Sequence, residues 1–197
     1  MLDPSLAACA PFVAPATLAS VIRVESGGQP FAININRGPR VATPRSAEEA
    51  AGIARAWIAQ GYSVDMGLMQ VNSRNLARLG YTVEHMFDPC TSIRAGATIL
   101  AANYVDAAKR RGPGQAALLD ALSAYNTGSF TRGYSNGYVS KYFTSTRYIM
   151  DLGRYRPPAR PSRPDPYSSE LSVFSRKDDN DRSGTLADPA AQSGGFD

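Results

Sequence analysis

The segment PATLASVIRVESGG, from Pro15 to Gly28, reads as one helix with its own start and stop signals. Pro15 suits the first helical turn, where its missing N–H would have no intrahelical acceptor. Leu18, Val21, Ile22 and Glu25 recur at helical spacing, which sets a carboxylate on the same face as three apolar side chains. Gly27 and Gly28 stop the helix at about Ser26. A carboxyl group in this position is disfavoured as an anion twice over, by partial burial and by the negative end of the helix dipole. A carboxyl that holds its proton near neutral pH can act as a general acid. The competing reading of Glu25 is a solvated glutamate in the last turn.

On either side of this helix the chain is mostly helical. Phe31–Asn36 (FAININ) alternates apolar and polar residues and predicts a short strand, followed by a turn at Arg37-Gly38-Pro39. Ser46 and Glu49 have capping-box spacing and open a second helix. Ala50, Ile53, Ala54, Trp57 and Ile58 form its expected buried stripe, and Gly61 ends it. Tyr62–Asn72 reads as a loop, and Ser73–Leu79 as a short helix. Asp88-Pro89 starts a long helix with Ile93, Ala97, Leu100 and Tyr104 on one face. Helices over Gln115–Tyr125 and about Gly137–Leu152 complete an α+β domain, mainly α-helical with a small β-like insertion.

The composition changes at Arg156, where RPPARP opens a segment rich in Pro, Ser, Asp and Gly. It has few large apolar residues beyond Leu171, Val173 and Phe174, too few to offset the entropy of ordering it. The expected organisation is one domain over 1–155 and a flexible tail over 156–197, with Leu171–Phe174 as a possible short docking motif. Hydrophobic residues make up 43% and charged residues 19% of the 197, an ordinary globular balance. No run of about 18 or more apolar residues is present, so no membrane span is expected. The segment Met1–Pro11 lacks a basic stretch followed by an apolar run and is not expected to be a signal peptide.

The net charge is +4, with +5 on the first 155 residues, where Lys and Arg outnumber Asp and Glu 15 to 10, and −1 on the rest. A mildly basic domain suits an anionic polymer. Nucleic acid and bacterial cell wall both qualify, but no recognisable nucleic-acid motif is present. Cys9 and Cys90 are the only cysteines. They read either as two buried thiols or, in an exported protein, as one disulfide. Closing a loop of about 80 residues would contribute roughly 4 kcal/mol in the chain-entropy model.

Two further motifs carry polar groups suited to a sugar. Gly67-Leu68-Met69-Gln70-Val71-Asn72 would bury Leu68 and Met69 while aiming the amides of Gln70 and Asn72 into a cleft, where they could meet hydroxyl and N-acetyl groups. Ala124-Tyr125-Asn126-Thr127-Gly128 would end a helix at Tyr125 and turn, leaving the tyrosine to hydrogen-bond a catalytic carboxyl. Each motif alone is also compatible with a buried loop or a core tyrosine.

Glu25-Ser26, then GLMQVN, then AYNTG, in this order and at this spacing, resemble the lytic transglycosylase family with the goose-type lysozyme-like fold, over about residues 5–150. Phe87–Ala97 (FDPCTSIRAGA), Asn136–Lys141 (NGYVSK) and the Cys9 and Cys90 pair resemble the VirB1-like subgroup associated with type IV secretion systems. The resemblance implies that Glu25 is the sole catalytic acid/base. It implies that Ser26 completes the signature pair, that Gln70 contacts the sugar, and that Tyr125 lies near the carboxyl with Asn126 beside it. Asn72 stands where some relatives carry Met. The implied substrate is the glycan strand of peptidoglycan, which places the protein in the periplasm, favours a Cys9–Cys90 disulfide and leaves nucleic acid aside. Components of a secretion system are the implied partners, and a monomer is expected.

A two-carboxylate glycosidase needs a second acid. Asp65 is the obvious candidate, but its neighbours suggest a loop carboxylate with a structural role. The family works with one carboxyl group and without metal or cofactor. His85 is the only histidine, which offers no ligand cluster and suits a surface or capping position. Hydrolysis, and a non-catalytic wall-binding module, are the alternatives to transglycosylation.

Overall fold

The computed structural model describes residues 3–143. Helix α1 (Pro4–Ala7) leads into α2 (Pro15–Glu25), which has Pro15 in its first turn and Ser26 at its C-terminus, as expected. Leu18, Val21 and Ile22 of α2 are buried, and Gly27 and Gly28 leave the helix with φ of 63° and 86°. Positive φ is easily adopted only without a Cβ, so the glycine pair ends α2 just after Glu25.

Helix α3 (Ala47–Ala59) is capped by Ser46, whose Oγ accepts from Glu49 N at 3.2 Å. The Glu49 carboxylate returns to Arg45 N at 2.7 Å, one residue earlier than in the usual reciprocal box. The buried stripe differs from expectation. Ala50, Ala51 and Ala54 are buried, whereas Ile53, Trp57 and Ile58 are only half-buried. Trp57 instead packs edge-on against Tyr62, with ring centroids 5.1 Å apart. The small alanines let α3 approach the core closely and leave the large side chains at its flank.

Strand β1 (Ile33–Ile35) lies inside the expected FAININ strand. Tyr62–Asn72, expected as a loop, instead contains β2 (Val64–Met66) and β3 (Val71–Asn72). The three strands form an antiparallel sheet in the order β1-β2-β3. Asn34 pairs with Asp65, and Asp65 with Asn72. Val64 and Met66 point into the core, so Asp65 between them faces outward. A three-residue strand and a two-residue one are too short for alternation to reveal them.

A 3₁₀ turn at Ser73–Asn75 and α4 (Leu76–Leu79) follow, then a second 3₁₀ turn at Glu84–Phe87. His85 is exposed there, and its Nδ1 accepts from Thr82 N at 3.1 Å. Helix α5 (Pro89–Arg111) is capped by Asp88, which accepts from Thr91 N at 2.8 Å. Ile93, Ala95, Gly96, Ala97, Ile99, Leu100 and Ala107 are buried around much of its circumference, which marks α5 as the central helix. Its main partner is α6 (Gln115–Thr127), which runs past Tyr125 before Gly128 ends it in the left-handed region. The turn expected at Asn126–Gly128 therefore falls later: the Thr127 hydroxyl bonds to Ser123 O at 2.8 Å and keeps the last turn helical. α7 (Arg132–Ser135) and a 3₁₀ turn at Val139–Tyr142 close the described chain.

Cys9 and Cys90 form a disulfide with Cα atoms 5.2 Å apart, which ties the segment after α1 to the first turn of α5. Among the described residues no helix is long and apolar enough to cross a membrane. The helix expected over about Gly137–Leu152 is represented only by the 3₁₀ turn, its remainder lying outside the described residues. The expected boundary at 156, the tail and Leu171–Phe174 also lie outside them.

Candidate active site

Glu25 is the last residue of α2, half-buried where α2 meets the Val139–Tyr142 turn. Its Oε1 accepts a hydrogen bond from the Tyr138 hydroxyl, which also pairs with the Tyr142 hydroxyl at 2.7 Å. Both phenols are buried. Burial pushes the Glu25 carboxyl up to about 7, and the negative charge of Asp65 adds to the rise. The Tyr138 hydrogen bond and the positive charge of Lys141 oppose it. Burial, with the nearby Tyr142 and Glu25, holds the Tyr138 hydroxyl well above the usual tyrosine range, so it stays a neutral donor. A carboxyl balanced near neutrality can give up a proton and take one back within one catalytic cycle.

The Gly67–Asn72 segment is built by close packing. Gly67 has φ of 72°, and a Cβ there would lie 2.0 Å from Met86 O and 2.7 Å from Ser92 Oγ. Leu68 and Met69 are buried, as expected. Gln70 takes a positive φ of 47°, and its Nε2 donates to Gly67 O at 3.0 Å and Ala32 O at 3.1 Å. Its amide nitrogen therefore fastens the turn to the segment before β1.

Tyr125 does not make the hydrogen bond expected of it. Its hydroxyl donates to Met69 O at 2.6 Å, tying α6 to the GLMQ segment, and Tyr138 bonds the carboxyl instead. The continuation of α6 through Thr127 fixes where Tyr125 points. Burial, followed by the charge of Glu25, holds the Tyr125 hydroxyl well above its usual range, so it too lies within the electrostatic reach of the acid.

Asn72 is engaged inside the protein rather than aimed outward. Its Nδ2 donates to Asp65 Oδ1 at 2.6 Å, and its Oδ1 accepts from Arg74 N at 3.0 Å. Asp65, on strand β2 rather than in a loop, also accepts at Oδ2 from Asn34 Nδ2 at 3.0 Å and Asn36 Nδ2 at 2.9 Å. Ser26 closes the end of α2, its Oγ donating to Ile22 O at 3.1 Å and accepting from Gly28 N at 3.2 Å. Asn126 is exposed, and its Oδ1 accepts from Asn136 Nδ2 at 3.2 Å.

The structure thus sets Glu25, Asp65 and Tyr125 within electrostatic reach of one another. It adds Tyr138, Tyr142, Asn34 and Asn36, to which the sequence alone assigns no role. Asn136–Lys141 stands out as a motif, but its contact with Glu25 spans 113 positions and has no local signal. Among the described residues no group of three or more His, Cys, Asp or Glu side chains could hold a metal ion.

A carboxyl raised to about 7 and backed by neutral phenols, on a helical domain carrying a small polar-faced sheet, has the form of an acid/base site. Residues 5–145 match the family described as the transglycosylase SLT domain, and the chain belongs to that family. It is 38% identical over 149 residues to the protein virB1 of Agrobacterium fabrum, covering 76% of this chain and 60% of that one. It is 36% identical over 197 residues to the type IV secretion system protein virB1 of Brucella abortus, covering 94% of this chain and 81% of that one. It is 39% identical over 142 residues to the protein virB1 of Rhizobium radiobacter, covering 72% and 59%. No solved structure matches the chain.

Proposed function

We propose that this protein is a peptidoglycan lytic transglycosylase that cleaves the β-1,4 bond between N-acetylmuramic acid and N-acetylglucosamine. The observation that carries the reading is the Glu25 carboxyl, pushed up to about 7 and held by Tyr138 in a chain of the transglycosylase SLT family. Glu25 first protonates the glycosidic oxygen. The C1–O bond breaks, and the substrate's N-acetyl group steadies the charge at C1. Glu25, now a carboxylate, takes the proton of the muramic acid 6-hydroxyl as that oxygen bonds to C1. One C–O bond breaks and one forms, giving a 1,6-anhydro sugar without consuming water, metal or cofactor. In this reading Gln70 and the exposed Asn126 contact the glycan. Ser26 secures the end of α2 that carries Glu25, and Tyr125 and Asn72 fasten the backbone at Met69 and Arg74.

The likeness to proteins named as type IV secretion components supports a role in opening the wall locally for such an apparatus. That role places the protein in the periplasm, working as a monomer on glycan strands. Glu25→Gln should lose most turnover of purified peptidoglycan, on the order of 100-fold or more for a general acid, while keeping its fold. Near-normal activity in that variant defeats the assignment. Mass spectrometry should find 1,6-anhydromuramic ends in the products, whereas reducing ends would mark hydrolysis.

A further inference from the structure

Tyr138 opens the closing 3₁₀ turn and Tyr142 ends it, and their rings pack edge-on with centroids 5.4 Å apart. They are 4% and 2% exposed. Packing at that depth fixes both rings and leaves only the hydroxyl protons a choice of partner. Three oxygens are joined in series: Tyr142 Oη, Tyr138 Oη and Glu25 Oε1. Each phenol has one proton to donate.

That count permits two orders. In the first, Tyr142 donates to Tyr138 and Tyr138 donates to Glu25 Oε1. In the second, a protonated Glu25 donates to Tyr138 and Tyr138 donates to Tyr142. The second order leaves the Tyr142 proton without an acceptor, because Tyr138 is its one hydrogen-bond partner among the described residues. A buried donor without an acceptor bears the full penalty of leaving water. The first order therefore holds whether or not Glu25 is charged. Burial, ahead of the charge of Glu25, holds the Tyr142 hydroxyl above the usual tyrosine range, so it keeps the proton it donates. Oε1 is thus an acceptor in both states of the acid, and the acid's own proton sits on Oε2. Among the described residues the protein's hydrogen bond to this carboxyl falls on Oε1, and Gln115 Nε2 is the one side-chain polar atom both buried and unpartnered. Oε2 is therefore open to solvent, where a glycosidic oxygen can reach it.

We propose that Tyr142 is a positioning residue for the acid: by donating to Tyr138 it commits the Tyr138 proton to Glu25 Oε1 and keeps the transferable proton on Oε2. Glu25 gives that proton from Oε2 to the leaving oxygen and regains one from the 6-hydroxyl at the same atom. Neither phenol gains or loses a proton, and the pair ends the cycle unchanged. Hydrogen bonds in series also strengthen one another, so Tyr142 makes Tyr138 a better donor to the carboxylate. This inference rests on the transglycosylase reading of Glu25.

The test follows kcat, KM and the pH profile of kcat/KM on purified peptidoglycan in Tyr142→Phe. Losing that hydroxyl weakens Tyr138 as a donor, which favours the protonated acid, and weakens the preference of its proton for Oε2. The alkaline limb should rise by about half a pH unit, and kcat should fall about 10-fold with KM little changed. Asp65 and Lys141 also act on Glu25, Tyr125 lies within its reach, and Arg23 acts on Tyr142. None of these is altered, so the shift reports the phenol pair. In Tyr138→Phe/Tyr142→Phe the limb should match that of Tyr138→Phe alone, since Tyr142 acts through Tyr138. A Tyr142→Phe limb that stays in place or falls overturns the proposal, as does a further shift in the double variant. Should Tyr142→Phe fail to fold, as judged by circular dichroism, a fluorotyrosine at position 142 decides. It keeps the ring and donates more strongly, so the limb should fall, and a limb that rises or stays overturns the proposal. Failure of the underlying reading is separately visible, as a wild type that releases no 1,6-anhydro ends or a Glu25→Gln variant that remains active.

Discussion

Tyr138 donates its hydroxyl to Glu25 across 113 positions of chain, and Tyr142 holds that hydroxyl from behind at 2.7 Å. The bond favours the carboxylate and offsets part of the rise that burial imposes on Glu25. Tyr138→Phe should therefore push Glu25 further above about 7 and move the alkaline limb of kcat/KM to higher pH. It also leaves the buried Tyr142 hydroxyl short of a partner, at a cost of about 1–3 kcal/mol. A pH–rate profile paired with thermal unfolding checks both halves. A limb that stays in place would uncouple this phenol from the acid.

The raised Glu25 makes the site a liability to the fold at high pH. A carboxyl lifted from 4.5 to about 7 binds its proton more tightly in the native state. The stability it contributes is fully present below about 4.5 and is lost as pH rises through about 7. At most about 3 kcal/mol is at stake. Glu25→Gln, which cannot ionise but keeps an acceptor for Tyr138, should melt above wild type at pH 8 and converge with it toward pH 4. Unfolding curves across that range decide the matter. A constant offset between the two proteins would show that Glu25 ionisation does not weaken the fold.

How much of this is legible in the sequence depends on how local each signal is. Pro15 with Gly27-Gly28, and Asp88-Pro89, fix the ends of α2 and α5 through the chain's own covalent limits, and both helices lie where the sequence places them. Ser46 caps α3 for the same reason. The sheet is hidden because β2 and β3 are three and two residues long, and what makes Asp65 a strand residue is its pairing with Asn34. The half-exposure of Ile53, Trp57 and Ile58 depends on how closely Ala50 and Ala54 bring α3 to the core, a tertiary fact. Glu25 stands out from spacing and motif together, but its hydrogen-bond partner does not. Tyr125 and Tyr138 are both tyrosines near a helix or turn end, and only the three-dimensional path of α6 separates the one that reaches Met69 O from the one that reaches the carboxyl.

The Cys9–Cys90 bond closes a loop of 81 positions and joins the N-terminal turn to the start of the central helix. Replacing both cysteines by serine should cost about 2–4 kcal/mol, with activity retained at temperatures where the variant stays folded. The Arg94 Nε to Cys9 O contact at 3.4 Å is too weak to hold the N-terminal segment in its place. Denaturant titration with and without reductant measures the loss directly. Equal midpoints under both conditions would show that the bond adds nothing to the stability of the domain.

At Gly96 the central helix packs against both the GLMQ segment and Tyr125 of α6. A Cβ there would lie 2.4 Å from Met69 Cβ and 2.7 Å from the Tyr125 hydroxyl. Met69 is fully buried and Tyr125 is bonded to Met69 O, so neither can give way without disturbing the turn that carries Gln70. Alanine normally favours a helix over glycine by about 1 kcal/mol. Overpacking at this contact costs about 1–3 kcal/mol and outweighs that gain. Gly96→Ala should therefore lower the melting temperature and also slow peptidoglycan turnover, through displacement of the Gln70 turn rather than any change at Glu25. The discriminating measurement is the pH profile of the surviving activity, which should keep its alkaline limb near 7 while kcat/KM falls. A variant more stable than wild type would mean that helix propensity outweighs packing at this contact.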